Sequence, residues 1–252
     1  MTIWLYCLFG KESLIMPFFL RHYAPQVDKL IMLDGDSDPK TKEMILRVPH
    51  AVIRDTPFRD SRYDDVEFVR YAEKLYREAR GRADWVLLVD MDEFIWFDGA
   101  PIRRKLENMR ALGIRAVQFE GWQMIKEDGF PEDNGRPLTE IVTEGFRDHI
   151  YDKMLAFDPM LDIRWSVGRH SCAISDGQQP YKFGKLLHYR WFGEQYHIQR
   201  NARNHARKSQ ADLDANRGYH TRPDYNEGRY SAKWFKSMIP QAENVTMEVA
   251  HG

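Results

Sequence analysis

The chain has 252 residues, 30% of them charged, and its 37 Lys and Arg against 38 Asp and Glu leave a formal net charge of −1. That balance excludes a general attraction to nucleic acid, and the length suits one large α/β domain or two small ones. Two cysteines, Cys7 and Cys172, stand far apart without disulfide or zinc spacing and read as buried thiols of a reducing compartment. No apolar run approaches the ~20 residues of a membrane helix. The opening Met1-Thr-Ile-Trp-Leu-Tyr-Cys-Leu-Phe carries neither a basic leader nor a cleavage site, so it reads as a strand and a cytoplasmic protein is expected.

In chain order, Ile3–Phe9 is the first expected strand, ended by Gly10-Lys11-Glu12-Ser13. A helix follows to about Tyr23, with Pro17 in its first turn, where a missing N–H costs least. Residues 29–33 form a second strand that runs into the polar loop Asp34-Gly-Asp-Ser37-Asp38-Pro39. Residues 41–48 read as a short helix and 51–54 as a third strand. From 65 to 79, Val66, Val69, Ala72, Leu75, Tyr76 and Ala79 recur at helical spacing.

Next comes Trp85-Val-Leu-Leu-Val89, too short for a core helix and rich enough in Val and Leu for a strand covered on both faces. It runs straight into Asp90-Met91-Asp92-Glu93. Between Asp84 and Asp98 there are five acidic side chains and no basic one, interleaved with Met91, Phe94, Ile95 and Trp96, which a solvated loop would not carry. Like charges crowded at the end of a buried strand need a counter-charge. A divalent cation is the economical answer, because carboxylates suit Mg²⁺ and Mn²⁺. Asp90 and Asp92 are the candidate ligands; the plainer alternative is that these acids cap a turn or the next helix.

Strands alternating with helices across short connections argue for a parallel sheet wrapped by helices, whose ligands bind at the carboxyl ends of the strands. Three polar clusters fall at such ends, 10–12, 34–38 and 90–93. The absence of Gly-x-Gly-x-x-Gly and Walker sequences counts against dinucleotide and P-loop readings. Further on, the expected elements are a helix over 102–112, a strand over 116–119 that ends in Glu120-Gly-Trp122-Gln123, and a long loop over 126–136. Short strands over 153–157 and 163–167, a strand over 185–190, a helix over 194–208, a polar lid or arm over 212–230 and a last helix over 230–238 complete the chain. The stretch 182–208 holds seven Lys or Arg and one acid. Its Arg200, Arg203 and Arg207 share one helix face, read either as solvated surface or as a grip on a diphosphate or phospholipid acceptor.

Val89-Asp90-Met91-Asp92-Glu93-Phe94 resembles the Asp-x-Asp segment of GT-A glycosyltransferases, in particular the family-2-like subgroup that carries Asp-x-Asp-Glu-Phe. Lys11-Glu12, Arg21-His22-Tyr23, Val27-Asp28-Lys29 and Asp34-Gly-Asp-Ser37-Asp38 resemble the same family's opening, with Lys11 where Asn is commoner. The resemblance implies a GT-A (nucleotide-diphospho-sugar transferase) fold, with a mostly parallel central sheet flanked by helices. It implies one domain, 1–252, with a nucleotide-binding half (1–100), an acceptor half (101–210) and a polar C-terminal arm (211–252). The implied activity is metal-dependent transfer, with inversion, from a nucleotide-sugar donor to a glycan or lipid-linked acceptor, in bacterial surface-polysaccharide synthesis or at the inner face of the membrane. Mn²⁺ or Mg²⁺ would be the cofactor.

By the same resemblance Glu12, Asp34 and Ser37 are candidate nucleotide contacts beside Asp90, and Asp34 to Asp38 is otherwise a plain turn. A late histidine completes the metal shell, His188 first and His170 second. The general base falls to Glu120 or Asp148, with Asp152 behind them. Two rivals stay open, a nucleotidyltransferase and a catalytically silent sugar-nucleotide-binding module.

Overall fold

A computed structural model of the chain describes residues 1–58 and 63–246; the last residues of the expected arm, 247–252, lie outside them. The first strand, β1 (Ile3–Phe9), alternates Ile3, Leu5, Cys7 and Phe9 towards one apolar layer and Trp4 and Tyr6 towards the other. A strand apolar on both faces must sit mid-sheet, and it does. Helix α1 (Met16–Tyr23) has Pro17 at its start and buries Phe18, Phe19 and Tyr23. After β2 (Lys29–Asp34), Asp38 caps α2 (Pro39–Leu46), accepting from the Thr41 N–H at 2.9 Å. Then come β3 (Ala51–Asp55) and α3 (Asp65–Leu75), capped by Asp64 and prolonged by a 3₁₀ turn over Tyr76–Ala79.

The central strand β4 (Trp85–Asp90) is followed at once by β5 (Glu93–Trp96), which the sequence reading did not foresee. Beyond α4 (Ile102–Ala111), β6 (Ala116–Lys126) runs on past Phe119, where its end was expected, because partners line it on both edges. A short helix α5 (Leu138–Ile141) and an unforeseen strand β7 (Glu144–Arg147) lead to β8 (Lys153–Phe157). The small hairpin of β9 (Ile163–Trp165) and β10 (Cys172–Ile174) follows, then the long β11 (Tyr181–Phe192). The chain closes with α6 (Glu194–Ala206), α7 (Gln210–Asp214), α8 (Ala232–Met238) and β12 (Glu243–Asn244).

Among the described residues, ten strands make one sheet with helices on its faces, the α/β architecture expected. It is parallel through β3-β2-β1-β4 and between β6 and β11, and antiparallel where β8, β7, β5 and β12 join. Register places Phe9 beside Asp34 and Leu8 beside Asp90, so the carboxyl ends of β1, β2 and β4 share one edge. It also places His188 of β11 between Glu93 of β5 and Gln123 of β6. Gly121 of β6 is obligatory, since a Cβ there would lie 2.5 Å from the Tyr151 carbonyl oxygen. Among the described residues no helix is long and apolar enough to cross a membrane.

Candidate active site

A cavity of about 600 Å³ opens at the carboxyl ends of β1 and β4. Gly10 and Glu12 enter it from the end of β1, Asp90 and Asp92 from the end of β4, and His188 and Arg190 from β11. Helix α6 and the segment after it contribute Arg200, Arg207 and Lys208, and the arm covers it with residues 216–221 and Tyr230. The expected arm is thus a wall of the cavity, tied down through buried Asp212, which accepts from the Asp65 N–H at 2.9 Å.

The crowded acids of the motif find basic partners from remote parts of the chain. Asp90 Oδ1 accepts from Arg169 at 2.5 Å, and its Oδ2 lies 3.5 Å from Lys153 Nζ. Burial alone would raise the Asp90 carboxyl; Arg169 and then Lys153 outweigh it and hold it below the usual carboxylate range. Glu93, fully buried, accepts from Lys153 Nζ at 2.6 Å, from the Tyr151 hydroxyl at 3.1 Å and from the Asp90 N–H at 2.9 Å. Asp92 pairs with Arg200 and with His188 Nε2, the latter at 2.9 Å. Against the cost of burial, Arg200 first and His188 second hold Asp92 well below its ordinary pKa.

Arg169 reaches Asp90 from a strained turn. Gly168 and Arg169 both have positive φ, 76° and 58°. That conformation is uncommon for a non-glycine residue and clusters where the surroundings over-determine it. The buried guanidinium also donates to the Leu88 carbonyl at 3.0 Å, so strand and strap fix it together.

His188 is the member whose chemistry is best defined. Its Nδ1 lies 2.8 Å from Gln123 Oε1, and the Gln123 amide is oriented by its Nε2, which donates to Asp148 Oδ2 at 2.9 Å. A carboxylate only accepts, so Oε1 must face the imidazole and Nδ1 must carry the proton. Burial, outweighing the pull of Asp92, holds the ring below its ordinary pKa. Nε2 faces Asp92 Oδ2 at 2.9 Å, donating to it when the ring is protonated and turning a lone pair on it when the ring is neutral. A cation beside the neutral ring would satisfy both. The anchored second nitrogen is the usual companion of a metal-ligating histidine, so His188 and Asp92 are the pair that could take an ion together with ligands from outside the chain, once Arg200 leaves Asp92. The Tyr151 ring stacks on the imidazole at 3.9 Å and fixes its plane. His170 also lines the cavity, with burial and then Lys153 lowering its pKa to about 4. Among the described residues, no three or more His, Cys, Asp and Glu gather into a group that could hold a metal ion by themselves, Asp90, Asp92 and His188 included.

The other expected site residues divide. Glu12 lines the cavity, and burial pushes its carboxyl up against the opposing pull of Arg200. Asp34 and Ser37 do not line it: buried Asp34 accepts from the Ser37 N–H at 2.8 Å and pairs with Lys42 of α2 at 2.7 Å, holding its own loop. Glu120 is exposed on β6, away from the cavity. Asp148 is buried outside it, accepting from Gln123 Nε2, Arg229 and the Tyr230 hydroxyl, a set of donors that suits a structural ion better than a base. Asp152 is likewise engaged, by the Gly121 N–H at 2.9 Å and by Arg147.

Of the three arginines on α6, Arg200 and Arg207 reach the cavity and Arg203 is exposed outside it. Arg207 donates to the Gly35 carbonyl at 2.6 Å and lies over Gly10, where a Cβ would come within 2.7 Å of its guanidinium. Sequence reasoning missed Lys153, Arg169, Tyr151 and Arg190. The available signal was a lone base in an otherwise apolar strand, as in Lys153-Met-Leu-Ala-Phe157.

No family model matches the chain, and no curated protein matches it. Solved structures do, at low similarity. Glucosyl-3-phosphoglycerate synthase from Mycobacterium tuberculosis, solved with Mn²⁺, uridine diphosphate and glucosyl-3-phosphoglycerate, is 19% identical over 48% of this chain and 44% of its own, with a TM-score of 0.32. The match therefore spans less than half of that synthase. 4-Diphosphocytidyl-2C-methyl-D-erythritol synthase from Anaerococcus prevotii is 16% identical over 63% of this chain and 70% of its own, with a TM-score of 0.34. CMP:2-keto-3-deoxy-manno-octonic acid synthetase, complexed with CTP, is 11% identical over 63% and 73%, with a TM-score of 0.31.

Proposed function

We propose that this chain is a GT-A-type, divalent-metal-dependent glycosyltransferase that moves a sugar from a nucleotide-diphosphate donor to an acceptor hydroxyl. The observation that carries the reading is one cavity, at the carboxyl ends of parallel strands, where Asp90, Asp92 and His188 meet Arg200 and Arg207. Asp90, Asp92 and His188 would hold Mn²⁺ or Mg²⁺, with His170 next in line. When bound, such an ion neutralises the leaving diphosphate as a Lewis acid.

The chain's own residues do the rest. Arg200 is held by Asp92 in the absence of substrate and presents a planar fork of donors to phosphate oxygens when that carboxylate is engaged elsewhere. Arg207, over Gly10 and Gly35, guards the end of β1 and β2 where a nucleoside would lie, beside Glu12. The arm, with Tyr230 and His220 on its inner side, excludes water from the transfer.

Titration calorimetry with a panel of nucleoside diphosphates, with and without Mn²⁺, followed by incubation with labelled nucleotide sugars, tests the reading. The expected result is Mn²⁺-dependent binding of one nucleoside diphosphate, its release on turnover, and loss of both in Asp92→Asn. Full turnover in strong chelator would sink the metal. Pyrophosphate formed from a nucleoside triphosphate and a sugar phosphate would show nucleotidyl transfer instead.

A further inference from the structure

Among the described residues, most charges around the cavity pair off, and Arg190 is a buried cation with no carboxylate in contact. Lys153 and Arg169 answer Asp90 and Glu93. Lys208 and Arg217 answer Asp65 and Asp212, at 2.8 to 3.3 Å. Arg200 answers Asp92. Glu12, the remaining cavity carboxylate, feels Arg200, Arg203 and Arg207.

Arg190 is 7% exposed and lines the cavity, yet no carboxylate pairs with it among the described residues. Its NH2 donates to Asn201 Oδ1 at 3.1 Å, its Nε has no hydrogen-bond partner, and its guanidinium lies 5.4 Å from the centre of the Tyr230 ring. An arginine is not kept in such a place for stability, because a buried charge with no carboxylate in contact and an unused donor is costly.

We propose that Arg190 is an anion-binding residue, and that the acceptor bears a carboxylate or phosphate group that seats on it. Phosphate oxygens of the donor are assigned above to Arg200, and the end of β1 and β2 to Arg207, which leaves Arg190 to a second anionic group. Arg190 stands two residues beyond His188 on β11, where the register with β6 shifts, and both line the cavity. It lies at the arm end of the cavity, where Asn201 also donates to the His220 carbonyl and His197 contacts the Tyr230 carbonyl. Arg207 stands at the opposite end, by Gly10 and Gly35, where the nucleoside is placed. The word acceptor rests on the transferase reading above; the anion site does not.

The test uses inorganic phosphate as probe. The protein is first saturated with Mn²⁺ and the nucleoside diphosphate it binds best, and phosphate is then titrated by calorimetry. Phosphate should bind this complex, at least about tenfold more weakly after Arg190→Gln and with partial recovery in Arg190→Lys, while nucleotide affinity stays within about twofold. Without ligand, the thermal midpoint of Arg190→Gln should equal or exceed that of the wild type, since the change removes an uncompensated buried charge. Vesicles carrying phosphatidic acid, set against neutral vesicles, show whether a lipid-borne phosphate also satisfies the site. Phosphate affinity indifferent to Arg190→Gln, or a clear fall in its unliganded midpoint, overturns the anion site. Competition between phosphate and the nucleoside diphosphate overturns the assignment to the acceptor. Arg190-dependent phosphate binding by a protein that binds no nucleotide overturns the donor reading and leaves the anion site standing.

Discussion

Removing the Lys153 charge tests whether Glu93, the third acid of the motif, is a structural anchor. Lys153 Nζ lies 2.6 Å from Glu93 Oε1 and 3.5 Å from Asp90 Oδ2, with Lys153 only 3% and Glu93 0% exposed. Lys153→Met keeps most of the stem's volume and deletes the charge. Glu93 would keep the Asp90 N–H at 2.9 Å and the Tyr151 hydroxyl at 3.1 Å, and Arg169 would stay 3.9 Å away. Breaking a buried pair from one side typically costs about 3–5 kcal/mol. The donors that remain place this case near the low end, at about 3 kcal/mol, including the lost contact of the ammonium over the Tyr151 ring. For a chain of this size that is a fall of roughly 6–12 °C in thermal midpoint. Urea unfolding of wild type, Lys153→Met, Glu93→Gln and the double variant gives both the loss and the coupling. The double variant should be more stable than the sum of the single losses predicts, by at least about 1 kcal/mol. A loss below about 1 kcal/mol with additive singles would refute the reasoning and return Glu93 to the candidates for substrate or metal contact.

Two further outcomes follow from buried groups near the site. His22, half-buried with its Nε2 3.0 Å from the Ile95 carbonyl, has its pKa lowered by desolvation to about 4. The unfolded chain therefore takes up the proton first as pH falls. The stability tied to His22 is whole above pH ~6.5 and is lost between ~6.5 and ~4, on the order of 3 kcal/mol. Urea midpoints at pH 7.5 and pH 5 should differ in the wild type and differ less in His22→Gln; an unchanged wild-type midpoint would mean the ring is not held neutral. Gly121→Ala would put a Cβ 2.5 Å from the Tyr151 carbonyl oxygen and push away the segment whose ring stacks on His188. The expected loss is about 1–3 kcal/mol together with weaker Mn²⁺-dependent nucleotide binding, and an unchanged midpoint would show that the segment yields freely.

The parallel half of the sheet could be read from the sequence because each of its strands is a short apolar run stopped by local turn chemistry. Gly10, Asp38 before Pro39, Asp64 and Asp84 end or start elements through their own backbone and side chains. The strands that escaped are those whose existence depends on a distant partner. β5 has only Phe94, Ile95 and Trp96 as an apolar signature and is a strand because β11 pairs with it. β7 and the second half of β6 hold each other. A periodicity argument sees one segment at a time and cannot supply such a partner.

The same limit governs the site. The physical demand was plain in the sequence: three carboxylates at the end of a buried strand require positive charge. Which charge meets it was not, because Lys153, Arg169 and Arg200 arrive from β8, a strained turn and α6. Those pairs answer the carboxylates from within the chain, and His188 Nε2 also faces Asp92 at 2.9 Å. Segment charge was a sound guide in one respect and blind in another. The surplus of bases over 182–208 marked a real cationic wall, yet helical spacing singled out Arg203, which is exposed, and passed over Arg190, which lies in a strand. An arginine inside Leu186-Leu-His-Tyr-Arg-Trp-Phe192 is the more informative of the two. A solvated arginine on a helix face needs no explanation, whereas one flanked by buried aromatic residues must either meet a carboxylate of its own chain or wait for an anion from outside.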